Sequence, residues 1–157
     1  LKGSLKEGGI RVPLVARWPG KIKAGSESDH ISAFWDVLPT IAELTGTKAP
    51  DDIDGVSFAP TLLGQTGKQK KPEYHYWEFA AYGGQQAVRK GKWKALRQNM
   101  LRKNKDPLRI FLYDLEADPG ESKDVAADHP DVVAEFAAIM KKARNRSELF
   151  KFRTLDK

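Results

Sequence analysis

The fold is decided by residues 86–97, which read QAVRKGKWKALR. Gly91 separates two short runs, each of which mixes apolar residues with basic ones. Two strand-forming runs joined by a tight turn that contains glycine are typical of a β-hairpin. The sequence therefore predicts two antiparallel strands over 86–90 and 92–97, with the turn at Gly91.

Two further strands and one helix are predicted around this hairpin. Residues 74–79 are rich in aromatic side chains and 110–115 form another apolar run, so both segments are expected to be strands. Asp128 is expected to cap a helix that has Pro130 in its first turn. The buried face of this helix is expected to consist of Val132, Val133, Phe136, Ala137, Ile139 and Met140. Residues 71–157 are thus predicted to form an α+β subdomain, an antiparallel sheet of about four strands with a C-terminal helix.

The first half of the chain has a different organisation. Residues 12–16 form an apolar run with a proline inside it, which favours an edge position in a sheet or the start of a strand. Residues 36–45 have helical apolar spacing and begin with an aspartate that can act as the N-cap. Residues 64–72 are polar and contain glycine and lysine, as expected of a linker. We therefore predict two domains, residues 1–70 and residues 71–157.

Composition excludes several classes of function. The 157 residues contain no cysteine, so the chain holds no disulfide, no thiolate metal ligand and no cysteine nucleophile. No apolar run approaches the roughly 18 residues that a membrane-spanning helix needs, and no membrane partner is expected. The sequence starts at Leu1 without a signal peptide, so we expect further residues upstream of it.

Charge is distributed unevenly along the chain. The net charge is +6, and the segment from Arg89 to Lys105 holds eight basic residues and no acidic one. Such a segment attracts nucleic acid, an acidic glycan or a sulfated substrate, or it is a solvated edge strand that resists aggregation. A basic module that binds nucleic acid or glycan is therefore a distant alternative, although RNA-recognition, KH and helix-turn-helix signatures are all missing from the sequence.

The most specific motif lies at the start of the chain, where residues 2–13 read KGSLKEGGIRVP. The pair Gly8 and Gly9 permits backbone conformations that other residues avoid, or a close approach of the backbone to a neighbour. Lys2 lies at the start of this motif, and its ammonium group could donate hydrogen bonds to the oxygens of an anion.

This motif resembles that of the formylglycine-dependent sulfatases, the arylsulfatase family of the alkaline-phosphatase-like superfamily. The family carries the pattern K-G-x-x-x-E-G-G-x-R-x-P followed by W-P-G, which corresponds here to residues 2–13 and Trp18-Pro19-Gly20. Further matches follow in the family's order, namely Asp36–Thr40, Asp54-Gly55, Val88–Lys94 and Leu112–Glu121. Each string alone is a weak signal, whereas the ordered set is a strong one.

The resemblance implies an α/β parent fold of which this chain is the C-terminal part, containing the last strand and helix of the large domain and the small α+β subdomain. It implies that Lys2 contacts the sulfate, that a hydrated formylglycine attacks sulfur, and that calcium or another divalent cation polarises the sulfate oxygens. The formylglycine precursors C-x-P-x-R and S-x-P-x-R are both missing here, and the family's metal ligands lie upstream of Lys2. We therefore expect no metal ligand and no catalytic activity in this chain alone.

The resemblance also implies partners and a location. The expected partners are a sulfated small molecule or glycan and an N-terminal sulfatase domain, with no nucleic acid involved. The expected location is periplasmic, secreted or lysosomal. Because the partners of the strand over 12–16 would lie upstream, the chain alone is expected to expose apolar surface and could self-associate. A phosphoester or phosphonate hydrolase of the same superfamily is the nearer alternative activity.

Four residues of the second half are candidates for contacts with the substrate: His75, Glu78, Tyr82 and Arg89. Aromatic rings can stack on sugar or aryl rings, while imidazole, carboxylate and guanidinium groups can bind hydroxyl or sulfate groups. The alternative for the aromatic run at 74–79 is that its members fill the core beneath the C-terminal helix. The sequence leaves both interpretations open.

Overall fold

The computed structural model describes residues 2–103 and 105–156. These residues form two compact units. The first unit combines the residues up to Val12 with those from Tyr74 onward, and the second is Pro13–Glu73. Residues 2–12 thus belong to the same compact unit as the C-terminal part of the chain, and the domain boundary at residue 70 stays a prediction.

The first unit is built on a four-stranded antiparallel sheet in the order β1-β2-β3-β4. Its strands are β1 (His75–Phe79), β2 (Gln85–Lys90), β3 (Trp93–Gln98) and β4 (Phe111–Asp114). Gly91 has φ +57° in the turn between β2 and β3, a conformation that glycine adopts without strain. The predicted hairpin and the predicted sheet of about four strands with a C-terminal helix are confirmed.

Helices α1 (Glu7–Ile10) and α4 (Pro130–Lys142) complete the first unit, together with a 3₁₀ turn at Ala126–Asp128. Asp128 was expected to cap α4, but it lies in this turn, and the N-cap position belongs to His129. The side chain of His129 makes no capping hydrogen bond; its ring instead packs against Trp93, with a centroid distance of 4.7 Å. Proline at the start of α4 begins the helix without loss of a backbone hydrogen bond.

The two faces of the sheet are covered by different elements. Alternation along the strands sends Val88, Ala95 and Leu112 to the first face, where they pack against α4. The helix residues buried there are Phe136, Ile139 and Met140, while Val132, Val133 and Ala137 are half-buried against the same cluster. The predicted apolar face of α4 is thus the face that contacts the sheet. The second face, which carries Ala87 and Leu96, packs against Leu5 of the N-terminal segment.

The second unit contains helices α2 (Val37–Thr45) and α3 (Ala59–Leu62), with 3₁₀ turns at Phe34–Asp36 and Thr66–Lys68. Helix α2 ends at Gly46, whose φ of +71° is the left-handed conformation expected of a C-terminal glycine. Residues 12–16 do not form a strand within the described part of the chain. Val12 and Val15 are instead 73% and 93% exposed. A strand forms only by hydrogen bonding to a partner strand, and the described residues place none beside this segment.

Asp36 joins two loops of the second unit. It occupies the predicted N-cap position of α2, but its side chain makes no capping hydrogen bond to that helix. Its Oδ2 accepts a hydrogen bond from the backbone N–H of Ala33 at 2.6 Å, and its Oδ1 accepts one from Val56 at 2.8 Å. A Cβ atom at Gly55 would overlap the carbonyl oxygen of Trp35, so only glycine fits there. The sulfatase-like strings at 36–40 and 54–55 therefore hold one loop junction together.

No helix of the described ranges 2–103 and 105–156 is both long and apolar enough to cross a bilayer.

Burial of a tyrosine on the second face of the sheet predicts alkaline sensitivity. Burial raises the pKa of Tyr113 from 10.0 to about 12, and the nearby carboxylate of Asp124 acts in the same direction. The folded chain therefore favours the neutral phenol, so this contribution to stability is intact below pH 10 and is lost as the pH rises towards 12. We expect the free energy of unfolding, measured with urea at stepped pH, to fall in this window.

The matched variants are Tyr113→Phe, which removes the buried phenol, and Tyr82→Phe, which removes an exposed one. Tyr113→Phe should make the pH dependence shallower, and Tyr82→Phe should leave it as it is. Parallel curves for all three proteins would contradict the assignment.

Candidate functional site

The N-terminal motif lies on the second face of the sheet and is fastened there by Gln85. The side-chain Oε1 of Gln85 accepts a hydrogen bond from the backbone N–H of Leu5 at 3.0 Å, and its Nε2 donates one to the carbonyl oxygen of Gly3 at 2.7 Å. Gln85 is only 4% exposed. Because a buried amide that loses a partner is costly, these two bonds fix the backbone immediately after Lys2.

A buried cluster of four charges fixes the next part of the motif, and we call it the Glu7 cluster: Glu7, Arg89, Lys94 and Glu121. The Nζ of Lys94 lies 2.8 Å from Oε1 of Glu7 and 3.3 Å from Oε1 of Glu121. Arg89 Nη1 donates to Oε2 of Glu7 at 3.2 Å. Lys94 is fully buried, and Glu7 and Glu121 are 6% and 2% exposed. Two cations and two anions thus balance inside the protein, as buried charges require.

The backbone reinforces this cluster. The N–H of Glu7 donates to Oε2 of Glu121 at 2.6 Å, and the Nζ of Lys6 donates to the carbonyl oxygen of Glu121 at 2.8 Å. Glu121 has φ +52°, a conformation that costs a non-glycine residue energy and that its bonds to the motif compensate.

Three strings that are far apart in the sequence therefore meet at one place. Glu7 comes from the N-terminal motif, Arg89 and Lys94 come from the string at 88–94, and Glu121 ends the string at 112–121. The sulfatase-like residues of these strings serve as internal supports. Lys2 is itself exposed, directly before the fastened segment, and its contact with sulfate stays a prediction.

The structure separates the four candidate substrate residues. His75 and Arg89 are cross-strand partners on the second face, whereas Glu78 lies on the first face. His75 is 6% exposed, and its ring stacks on that of Trp77 at a centroid distance of 5.8 Å. Arg89 is committed to the Glu7 cluster.

Glu78 belongs to a second network of polar groups. Its Oε2 accepts hydrogen bonds from the hydroxyl of Tyr76 at 2.6 Å and from Nε of Arg144 at 2.9 Å. Arg144 also donates to Asp156 at 2.5 Å. In this chain Glu78 therefore ties β1 to the segment that follows α4.

Tyr82 is the candidate that lies next to the N-terminal motif. It is 59% exposed and has φ +52°. Its ring stacks on Phe79 at 5.9 Å and covers Gly3 so closely that a Cβ at Gly3 would lie 2.7 Å from ring atoms. Lys2 and Tyr82 are thus the two predicted site residues that the structure brings to one place.

The sequence did not single out the residues that hold the N-terminal motif on the sheet, namely Gln85, Lys94 and Glu121. A signal for Lys94 was available, because alternation along β3 puts it on the same face as Leu96, which is buried. Across residues 2–103 and 105–156, no group of three or more His, Asp or Glu side chains is placed to hold a metal ion.

Comparison with known proteins gives the family. Residues 2–148 match the family described as "N-sulphoglucosamine sulphohydrolase, C-terminal". Arylsulfatase A of Bos taurus is 36% identical over 163 aligned residues, which cover 89% of this chain and 31% of that protein. This chain therefore spans about a third of the length of that curated relative.

Solved structures give the same result. A Bacteroides thetaiotaomicron protein, from a genetic locus for the metabolism of multiple glycosaminoglycans, superposes with a TM-score of 0.70 at 30% identity, over 89% of this chain and 30% of that one. A second protein, solved with its substrate D-glucosamine-2-N,6-O-disulfate, superposes with a TM-score of 0.64 at 26% identity, over 81% of this chain and 26% of that one. The chain belongs to the sulfatase family whose C-terminal region is described as that of N-sulphoglucosamine sulphohydrolase.

Proposed function

We propose that this chain is the C-terminal part of a sulfatase that hydrolyses the sulfate ester of a sulfated glycan, and that Lys2 contacts the sulfate. The observation that carries the proposal is the double hydrogen bond of Gln85 to the backbone on either side of Ser4, backed by the Glu7 cluster. A catalytic side chain must be held in position before the substrate arrives, and this arrangement does so for the segment that follows Lys2.

The chemistry assigned to this chain is electrostatic. An ammonium group that donates hydrogen bonds to sulfate oxygens binds the ester and stabilises the negative charge that builds up in the transition state. In the parent enzyme a formylglycine would supply the nucleophile and a divalent cation, calcium in our proposal, would polarise the sulfate. Both would be held by an N-terminal domain, which would be this chain's partner.

The domain division is part of the proposal. Residues 1–70 would complete the large α/β domain, and residues 71–157 would form the C-terminal subdomain. The apolar side chains exposed in the second unit, among them Leu14, Val15 and Phe34 at 56%, 93% and 89%, support a role in covering other parts of the parent protein.

The test compares esters that differ only in the transferred group. Full-length protein carrying this chain is assayed with an aryl sulfate and with the matching aryl phosphate, and residues 1–157 alone are assayed with both. We expect hydrolysis of the sulfate ester by the full-length protein and of neither ester by the chain alone. A preference for the phosphate ester would replace the proposal by the phosphoester hydrolase alternative.

A further inference from the structure

A basic pocket lies at one end of the sheet. Its volume is about 470 Å³, in the range of pockets that hold small ligands. Two segments build it, the loop that follows β3 and the chain near its C-terminus. The lining residues are Met100, Leu101, Arg102, Lys151, Arg153 and Thr154.

The two segments are joined by buried contacts. The hydroxyl of Thr154 donates to the carbonyl oxygen of Met100 at 2.5 Å. Phe152 is fully buried and Met100 is 2% exposed, so apolar packing holds the pocket's frame. Substitution of the exposed cations at the rim should therefore leave the fold intact.

The pocket carries positive charge that the described part of the chain does not neutralise. Neither Arg102 nor Arg153 forms an ion pair with a described side chain, and Lys151 has only Glu148, at 4.0 Å. Asp156, the acid nearest to Arg153 along the chain, is committed to Arg144. Two guanidinium groups at a concave surface are suited to bind a sulfate or a carboxylate, which they can contact through paired N–H groups.

One loop connects this pocket with Lys2. The ring of Tyr82 covers Gly3, and the neighbouring Gly83 lies against Arg102, whose Nε would be 2.6 Å from a Cβ placed there. Adjacent Cα atoms are about 3.8 Å apart, so the two contacts are made by neighbouring residues of one loop. The loop is held in place because the N–H of Leu101 donates to the carbonyl oxygen of Gly83 at 2.8 Å. Tyr82 holds a positive φ of +52°, which costs a non-glycine residue energy, whereas Gly83 and Gly84 adopt positive φ without strain.

We propose that this pocket is a second anion-binding subsite, which holds a sulfate or carboxylate on a sugar that neighbours the hydrolysed one. The inference rests on the proposed sulfatase function. Arg89 was the basic candidate for substrate contact in the sequence, but it is bound to Glu7. Arg102 and Arg153 take its place as the residues that contact a polyanionic substrate. A substrate with several anionic groups would then be preferred to one that carries a single sulfate.

The first experiment measures binding to the 157-residue chain by calorimetry. The probes are a heparin-type disaccharide with several sulfates and a carboxylate, the same disaccharide without sulfates, and inorganic sulfate. The variants are Arg102→Gln and Arg153→Gln, and the matched control is Lys141→Gln on the exposed side of α4. We expect each arginine variant to weaken binding of the sulfated disaccharide about tenfold or more, and the control to leave it unchanged.

The other probes identify the anion. Stronger binding of the sulfated disaccharide than of its desulfated form assigns the contact to sulfate, and equal, arginine-dependent binding of both forms assigns it to the carboxylate. Either result supports the subsite. Affinity for the sulfated disaccharide that survives both arginine substitutions would overturn it, as would inorganic sulfate binding as tightly as the sulfated disaccharide.

The second experiment separates this inference from the proposed function. In the full-length protein, Arg102→Gln should raise KM for a multiply sulfated oligosaccharide while leaving hydrolysis of a small aryl sulfate unchanged. Arginine-dependent binding without any sulfatase activity would retain the subsite and remove the function. Sulfatase activity with an unchanged KM of Arg102→Gln for the oligosaccharide would support the proposed function and contradict the subsite.

Discussion

Lys2→Ala in the full-length protein is expected to lower kcat for a sulfate ester by about 10²–10³-fold, the usual effect of deleting one donor that is fixed in advance on the charged oxygens of a transition state. The effect should fall mainly on kcat because charge on these oxygens increases as the ester bond breaks. The melting temperature should not change, since Lys2 is exposed and its neighbours are held by Gln85 through backbone atoms.

The control for this substitution is Lys141→Ala. It removes the same charge from an exposed position on α4, a helix that covers the opposite face of the sheet. Kinetics of Lys141→Ala should match those of the unmodified protein. If Lys2→Ala retained normal kcat and KM, the assignment of Lys2 to the sulfate would be withdrawn while the fold and family would stand.

Local sequence patterns predicted the sheet and the helices because those elements depend on neighbours in the chain. The glycine turn between β2 and β3 and the apolar stripe of α4 are each contained in about a dozen residues. The strand expected at 12–16 does not form, since a strand requires a partner strand and none lies beside this segment in the described part of the chain.

The candidate site was harder to predict because it depends on contacts between distant residues. Glu7 and Lys94 are 87 positions apart, and no local pattern pairs them. Strand alternation does carry one signal: residues 75 and 78 lie an odd number of positions apart, so His75 and Glu78 lie on opposite faces of the sheet. Arg89 had been considered for its charge alone, whereas its position opposite His75 turns it towards the N-terminal motif.

Lys94→Met is expected to be the most destabilising single change in the sheet, at about 3–5 kcal/mol, because it leaves the buried carboxylate of Glu121 without its cation and removes one of the two cations of Glu7. Lys94 is fully buried between Glu7 and Glu121, and methionine fills a similar volume without a charge. A domain of this size has a stability of about 5–15 kcal/mol, so the loss should be visible as a large shift of the urea midpoint. The N-terminal motif should also loosen, which hydrogen exchange at the amide of Glu7 would report.

Two variants distinguish a lost ion pair from lost side-chain packing. Lys92→Met in the same hairpin removes an exposed lysine that pairs with Asp114 at 2.6 Å, and it should move the midpoint little since exposed pairs are screened by water. The double variant Lys94→Met/Glu121→Gln retains the pair of Arg89 with Glu7 and removes the carboxylate that Lys94 had balanced. It should therefore be more stable than Lys94→Met alone. A double variant with the stability of the single one would mean that the aliphatic stem of Lys94, and not its charge, holds the motif on the sheet.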